Sequence, residues 1–429
     1  MLLVFRTSWP LFLGMMLLML GNGLQGTLLG IRGSIEGFSP NTMAWVMSGY
    51  FLGFLGGSRL APEMIRRVGH VRVFAALASF VSACLILYAA IPNVFAWFLL
   101  RVMIGFCFSG VFVVAESWLN DAATNETRGQ TLSLYLIVQM IGVTTAQGIL
   151  NVADPSGYTL FVVSSVLVSI SFAPILLSIS PAPMFQATKP MSFKRLYVTS
   201  PTAVLGIFLL GGIFGALFGM ASVFGTEKGL DVHTISIFIA SIYVGGMLLQ
   251  YPIGWVSDRM DRRKLIIILT FFATAVMFGG TLFTDKIYSL LMLGFVIGGV
   301  ANPLYSLYLA YMNDYLDHDD MAAASGGMIF VNGLGAVGGP FIVGWMMSNY
   351  GSDSYFIYLG VLFGLSGLWA LLRSTRREAP SVEDTASYAP VAMNATAVAV
   401  ELATEVAIEM AEEAEAELEA ETETGASNA

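Results

Sequence analysis

The chain has 429 residues, of which 56% are hydrophobic and only 11% charged, with a mean hydropathy of +0.75. Charge that sparse leaves too little wettable surface for a soluble globular protein, so an all-α membrane protein is expected. The formal charge of −9 is concentrated at one end: residues 378–429 hold 13 of the 29 acidic residues and no base, leaving 20 bases against 16 acids elsewhere.

Apolar stretches of about 18 to 25 residues recur along the chain, each long enough at 1.5 Å per residue to cross a hydrocarbon layer about 30 Å thick. Twelve transmembrane helices are predicted, over 9–31, 42–61, 71–91, 94–118, 130–150, 159–180, 201–224, 234–256, 264–284, 287–312, 322–347 and 354–373. The first leads directly into the second without a small-residue cleavage site, so it is expected to be retained and not removed as a signal peptide. Lys and Arg set the orientation. With the N-terminus inside, sixteen of the twenty bases fall on the cytoplasmic side, against Arg32, Lys228 and Lys286 outside and Arg101 within a span. A multi-pass protein of the cytoplasmic (inner) membrane with both termini cytoplasmic follows. Cys84 and Cys107 lie inside spans three and four, where small apolar packing is expected and neither a disulfide nor a metal site is implied.

The chain repeats itself. Displaced by 192 residues, "GSIEGFSPNT" (33–42) lies over "GTEKGLDVHT" (225–234), and "PEMIRRVGHVR" (62–72) over "GWVSDRMDRRK" (254–264). One residue further out of step, Asn120 and Asp121 lie over Asn313 and Asp314. Duplication of a six-helix unit explains these matches, and an even number of helices makes the two halves parallel repeats. The expected domains are an N-terminal bundle (1–180), a Pro-punctuated basic linker (181–200), a C-terminal bundle (201–377) and an acidic Ala/Glu-rich cytoplasmic tail (378–429).

Polar groups inside the spans are the candidates for function, because a charge at mid-membrane depth costs about 3 kcal/mol or more. Arg101 lies about two turns into span four. Glu116, fifteen residues on, returns to within about 60° of the same helix face. Amides and phenols join them: Asn22 and Gln25, Gln139 and Gln147, Gln250, Asn302 with Tyr305 and Tyr308, and Asn332. Each taken alone is more often an interhelical hydrogen bond than a solute contact. Together they describe a neutral-polar cavity with one fixed cation, suited to a small organic anion, with Glu116 as the candidate proton carrier.

The stretch Gly254, Asp258, Arg259, Arg262, Arg263 resembles the loop signature G-x-x-x-D-R-x-G-R-R of the major facilitator superfamily, with Asp261 in place of the second Gly. "FLLRVMIGFCFSG" resembles that superfamily's fourth-helix pattern, here Arg101 and Gly105. "VVAESWLNDAATNETRGQTLSLY", "LLQYPIGWVSDR", "NPLYSLYLAYMND" and "VNGLGAVGGP" resemble its YcaD-like branch. The likeness spans roughly residues 10–373. It implies the major facilitator fold of two parallel six-helix repeats, with helices 1, 4, 5, 8, 10 and 11 facing a central cavity. It also implies a latch between the cytoplasmic ends of the halves, carried by Gly254, Asp258, Arg259, Arg262 and Arg263 with Asp314 as partner. The first repeat keeps only Arg67, Gly69 and Arg72, with Pro62 and Arg66 where the pattern has Gly and Asp, so Glu116 or Asp121 is its expected acceptor.

No phosphate-binding Gly loop, paired-His metal motif or other enzyme signature is present, and no cofactor, metal or nucleic acid is implied. The Ala/Glu-rich tail is expected as a solvated helix, its dense Glu run repelling itself, with docking on the basic loops as the weaker alternative. Sequons at Asn125 and Asn394 fall on the cytoplasmic side, so glycosylation is not implied. The expected activity is secondary active transport by alternating access, as a monomer, with proton symport through Glu116 an open extension. The alternatives are efflux of neutral or lipophilic solutes, and a receptor or assembly partner that keeps the fold without moving solute.

Overall fold

A computed structural model describes residues 2–123, 125–176, 190–375, 388–392 and 394–407. Twelve long helices dominate: α1 (Leu2–Ile35), α2 (Pro40–Val68), α3 (His70–Ala90), α4 (Val94–Ala122), α5 (Asn125–Ile149) and α6 (Thr159–Ser171, continued by Ala173–Leu176) form the first half. The second half is α7 (Pro201–Glu227), α8 (Val232–Ser257), α9 (Arg262–Gly280), α10 (Ile287–Asn313), α11 (His318–Tyr350) and α12 (Ser354–Ser374). Among the described residues, eleven of these helices are long and apolar enough to cross a membrane. The exception, α2, carries Arg59, Glu63, Arg66 and Arg67 near its end, yet its 29 residues reach about 43 Å and it packs as its repeat mate α8 does. One helix was not foreseen, Phe193–Thr199 in the linker, while the helix expected in the tail runs over 397–407.

The boundaries have local causes that recur at the repeat offset. Ser39 caps α2 by accepting from the Thr42 N–H, and Asp231 caps α8 by accepting from that of Thr234. Just before each cap the chain turns through a left-handed glycine, Gly37 (φ 78°) and Gly229 (φ 75°), a conformation a side chain would strain. In the next loop the halves diverge. Gly69 (φ 87°) ends α2, whereas Asp261 stands at the equivalent place and caps α9, accepting from the N–H groups of Arg263 and Lys264. The departure from the superfamily's glycine is therefore a helix start.

Packing repeats as well. A Cβ on Gly53 would fall 1.9 Å from the Val102 carbonyl oxygen, and one on Gly245 would fall 2.0 Å from that of Phe295. Gly105 against Tyr50 and Gly298 against Ile242 are equally tight, at 1.9 and 1.8 Å. Backbone-to-backbone contact thus fixes the α2–α4 and α8–α10 crossings, as expected where lipid gives helices no hydrophobic reason to associate. The halves meet along α1–α7, α2–α11 and α5–α8. Large apolar side chains such as Phe80, Leu248, Phe272, Met292 and Ile342 point outward, about half exposed, forming the lipid face.

The two ends of the bundle differ. At the end bearing the loops α1–α2, α5–α6 and α11–α12, the halves touch directly: the Asn41 N–H donates to Ser348 Oγ (3.2 Å) and Asn151 Nδ2 to Ser236 Oγ (3.1 Å). Trp45 packs edge-on against Phe341 there, ring centres 4.7 Å apart. At the other, basic end, which carries Arg66, Arg67, Arg128 and Arg259, the described part of the tail, residues 388–392 and 394–407, lies between the halves. The expected solvated tail needs correction for residues 388–407, because Val391, Ala392, Ala395, Ala399, Val400, Leu402, Ala403 and Ala407 are buried. The acidic run dominated the composition and hid an Ala/Val-rich first half that is apolar enough to be covered.

Candidate functional site

A cavity of about 150 Å³ lies between the halves, bounded by α1, α2, α4 and α5 on one side and α7, α8 and α11 on the other. An engineered protein cavity of similar volume holds one benzene ring, so the space suits a solute of about that size. Its polar groups include Asn22, Gln25, Tyr50, Ser58, Arg101, Gln139 and Asn332. Aromatic walls are added by Phe51, Phe54, Phe214, Phe218 and Tyr243.

Arg101 is the charge of this cavity and is only 2% exposed. One guanidinium nitrogen donates to Gln25 Oε1 (2.8 Å), another lies 3.1 Å from Met47 Sδ, and the group sits 5.1 Å from the centre of the Tyr50 ring. Nε has no hydrogen-bond partner among the described residues, and no carboxylate there pairs with Arg101. Gln25 in turn donates to Asn22 Oδ1 (3.2 Å), so an amide chain on one face of α1 orients the cation.

The other polar candidates divide by helix face, which sequence depth alone does not give. Gln139 and Asn332 border the cavity; Asn332 also donates to the Ile207 carbonyl (3.1 Å). Gln147 instead ties α5 to α1, donating to the Gly23 carbonyl (3.2 Å) and accepting from Thr27 (2.9 Å). Asn302 donates to the Gly298 carbonyl (3.1 Å) within its own helix, and Gln250 to Ser306 (3.2 Å). Tyr305 packs against Phe214, ring centres 5.9 Å apart, and Tyr308 hydrogen-bonds Ser366. These five lie outside the cavity lining. Glu116 is buried below it, accepting from Tyr135 (3.3 Å) and from both the N–H (3.0 Å) and the hydroxyl of Thr396.

The expected latch residues gather mainly within the second half. Arg262 pairs with Asp314, tying the start of α9 to the end of α10, and donates to Ser257 Oγ (3.3 Å). Arg263 donates to the hydroxyls of Tyr311 (2.9 Å) and Tyr315 (3.3 Å). Asp258 lies 3.7 Å from Arg262 and accepts from the Tyr388 N–H (2.7 Å), while the Tyr388 ring lies against Gly254. Arg259 stacks over Trp255 at 4.2 Å. Burial pushes the Asp314 carboxyl up to about 7, although Arg262 pulls it the other way. In the first half Arg67 pairs with Glu63 (2.7 Å), Arg72 is exposed, and the side chain of Asp121 lies outside the described residues.

Sequence reasoning missed the aromatic walls and Asn394, which joins the cavity lining and donates to Gln139 Oε1 (2.7 Å). Aromatic residues carry no such signal in a chain rich in them on every face. Asn394 had one, as a polar residue inside an apolar stretch of the tail.

Solved carriers share this architecture. The nucleoside transporter NupG, as its D323A mutant, aligns with a TM-score of 0.71 at 14% identity, covering 85% of this chain and 98% of its own. A bacterial homologue of the human lysosomal transporter Spinster, in an inward-facing and occupied conformation, aligns at 0.70 and 12% identity, over 89% and 98%. By sequence, the MFS-type transporter YcaD of Escherichia coli is 27% identical over 361 residues, covering 82% of this chain and 92% of that protein. YfkF of Bacillus subtilis, another MFS-type transporter, is 24% identical over 370 residues, covering 84% and 94%. The sequence profile described as Major Facilitator Superfamily matches residues 11–232 and 203–406. With two six-helix halves around one central cavity and a family match over nearly the whole chain, this protein belongs to the major facilitator superfamily, whose members are membrane transporters and not enzymes.

Proposed function

We propose that this carrier moves a small organic anion, about the size of a single ring, by alternating access around Arg101. The observation that carries the reading is the guanidinium itself: buried, facing the cavity, with Nε unpartnered and no carboxylate paired with it among the described residues. In so buried a site an unopposed planar cation attracts a carboxylate strongly and repels cations. Gln25 and Asn22 hold the fork in place, Gln139 and Asn332 offer the solute's neutral end hydrogen bonds, and the aromatic walls cover its ring.

The basic end faces the cytoplasm in this reading, following the distribution of Lys and Arg in the loops. Contact between the halves at the opposite end then makes this an inward-oriented state. Glu116 is the group proposed to carry a coupled proton.

Binding is tested by thermal shift with a panel of monocyclic carboxylates, their uncharged amides and monocyclic amines, followed by flux of any hit in proteoliposomes. Carboxylates are expected to stabilise the parent protein, and Arg101→Gln to weaken that binding by at least tenfold; Arg101→Lys keeps the charge without the fork and falls between. Selective stabilisation by amines, or undiminished binding in Arg101→Gln, overturns the anion. The aromatic walls favour a second reading, efflux of flat lipophilic solutes, which predicts that amides and carboxylates bind alike.

A further inference from the structure

We propose that residues 388–407 are a built-in plug that enters between the two halves from the basic end and seals the central cavity, so that solute passes only when this segment withdraws. The proposal deepens the transport reading, since it takes the cavity to be the solute's path.

The plug is held on both sides. On the second half, Asp258 accepts from the Tyr388 N–H (2.7 Å), Ser306 Oγ from the Val391 N–H (2.9 Å), and Asn313 donates to Thr404 Oγ1 (3.4 Å). On the first half, Gln139 accepts from Asn394 (2.7 Å), Glu116 from the Thr396 N–H (3.0 Å), and Arg128 pairs with Glu405 (2.8 Å). One short segment therefore bridges α4, α5, α8 and α10. At its inner end Asn394 forms part of the cavity lining.

Shape and chemistry both mark a removable part. Ala399, Ala403 and Ala407 recur every fourth residue along the helix 397–407 and, with Ala395 just before it, are all buried, which makes a thin helix that fits a narrow slot. Its polar groups are received by two carboxylates, amides, a hydroxyl and a guanidinium, set among the apolar side chains that cover its Val and Ala residues. An apolar slot left empty would collapse, whereas a slot lined by such groups takes up water once the segment leaves. Two glycines complete the seat: a Cβ on Gly254 would fall 2.5 Å from the Tyr388 ring, and one on Gly129 only 3.3 Å from Val406 Cγ1.

The test reads access to the cavity and needs no known solute. Cys84 and Cys107 are replaced by alanine, Ser58 in the cavity wall by cysteine, and the purified full-length protein is reacted with a charged, bulky maleimide. The halves touch at the opposite end, so reagent is expected to enter from the basic end. Slow labelling is expected in the intact chain. Removal of residues 378–429, or Val400→Glu, which forces a charge into the buried face, is expected to accelerate it at least tenfold. Gly129→Cys with Val406→Cys, oxidised to a disulfide, is expected to hold labelling at the slow rate even with Val400→Glu present, and reduction to release it. Equal labelling of the intact, truncated and Val400→Glu proteins, each monodisperse, overturns the plug, as does failure of the disulfide to form. Because labelling reports access and not solute movement, a negative result leaves the Arg101 reading standing, and loss of anion binding in Arg101→Gln says nothing about the plug.

Discussion

A single ion pair shows how burial and charge compete at the residue scale. The Asp314 side chain is almost inaccessible, paired with Arg262 and with Asp258 and Asp261 nearby, and its carboxyl is raised from 3.8 to about 7. A carboxyl whose folded value is raised binds its proton more tightly in the folded state. The resulting stability is full below the unfolded value near 4 and is lost as pH rises through about 7. The melting temperature of the solubilised protein should therefore fall between pH 5 and pH 8, and Asp314→Asn, which cannot ionise, should flatten that fall. An Arg262→Ala variant leaves the acid without its partner and should cost about 3 kcal/mol or more at pH 8, the usual penalty for breaking a buried pair. At this scale the sequence was partly legible. Arg101 stood out because a lone charge in an apolar run is rare, whereas Gln147, Gln250 and Asn302 look the same as Gln139 until the helix faces are known.

Among elements, the helices themselves were legible from length and hydropathy, and their pairing from the repeat. Their crossings rest on glycines that sequence marks only as small residues. Gly105 and Gly298 are the strictest pair, since an added methyl would meet backbone oxygen and not a flexible side chain. Gly105→Ala or Gly298→Ala should cost about 1 to 3 kcal/mol through forced separation of α2 from α4, or of α8 from α10. Gly26→Ala, with no atom within 4 Å of the new methyl, serves as the neutral control, and the three are compared by thermal unfolding in detergent. The tail was the least legible element. Its burial depends on a slot between the halves, and a slot made by two bundles leaves no trace in the composition of the segment that fills it.

For the whole molecule, the state is set by which end holds the halves together. Opposite the basic end, hydrogen bonds such as that from the Asn151 side chain to Ser236 and that from the Asn41 backbone N–H to Ser348 join them, each worth only about 1 kcal/mol net. In the proposed alternating-access cycle, contacts that weak suit a gate that opens. Asn151→Cys with Ser236→Cys, joined by a short thiol cross-linker, should abolish net flux in proteoliposomes yet leave the cavity open to maleimide from the basic end once the tail is removed. Retention of flux after full cross-linking would mean that the halves do not part there. The plug, by contrast, never leaves its site in the sense that a soluble inhibitor does: residues 376–387 are all that join it to α12. A chain that short keeps its end at an effective concentration on the order of millimolar, whatever the amount of protein in the membrane. Dilution cannot relieve such inhibition and a free competitor can hardly match it, so any signal that opens the carrier has to act on the tether or its cargo, by capturing, modifying or cutting it.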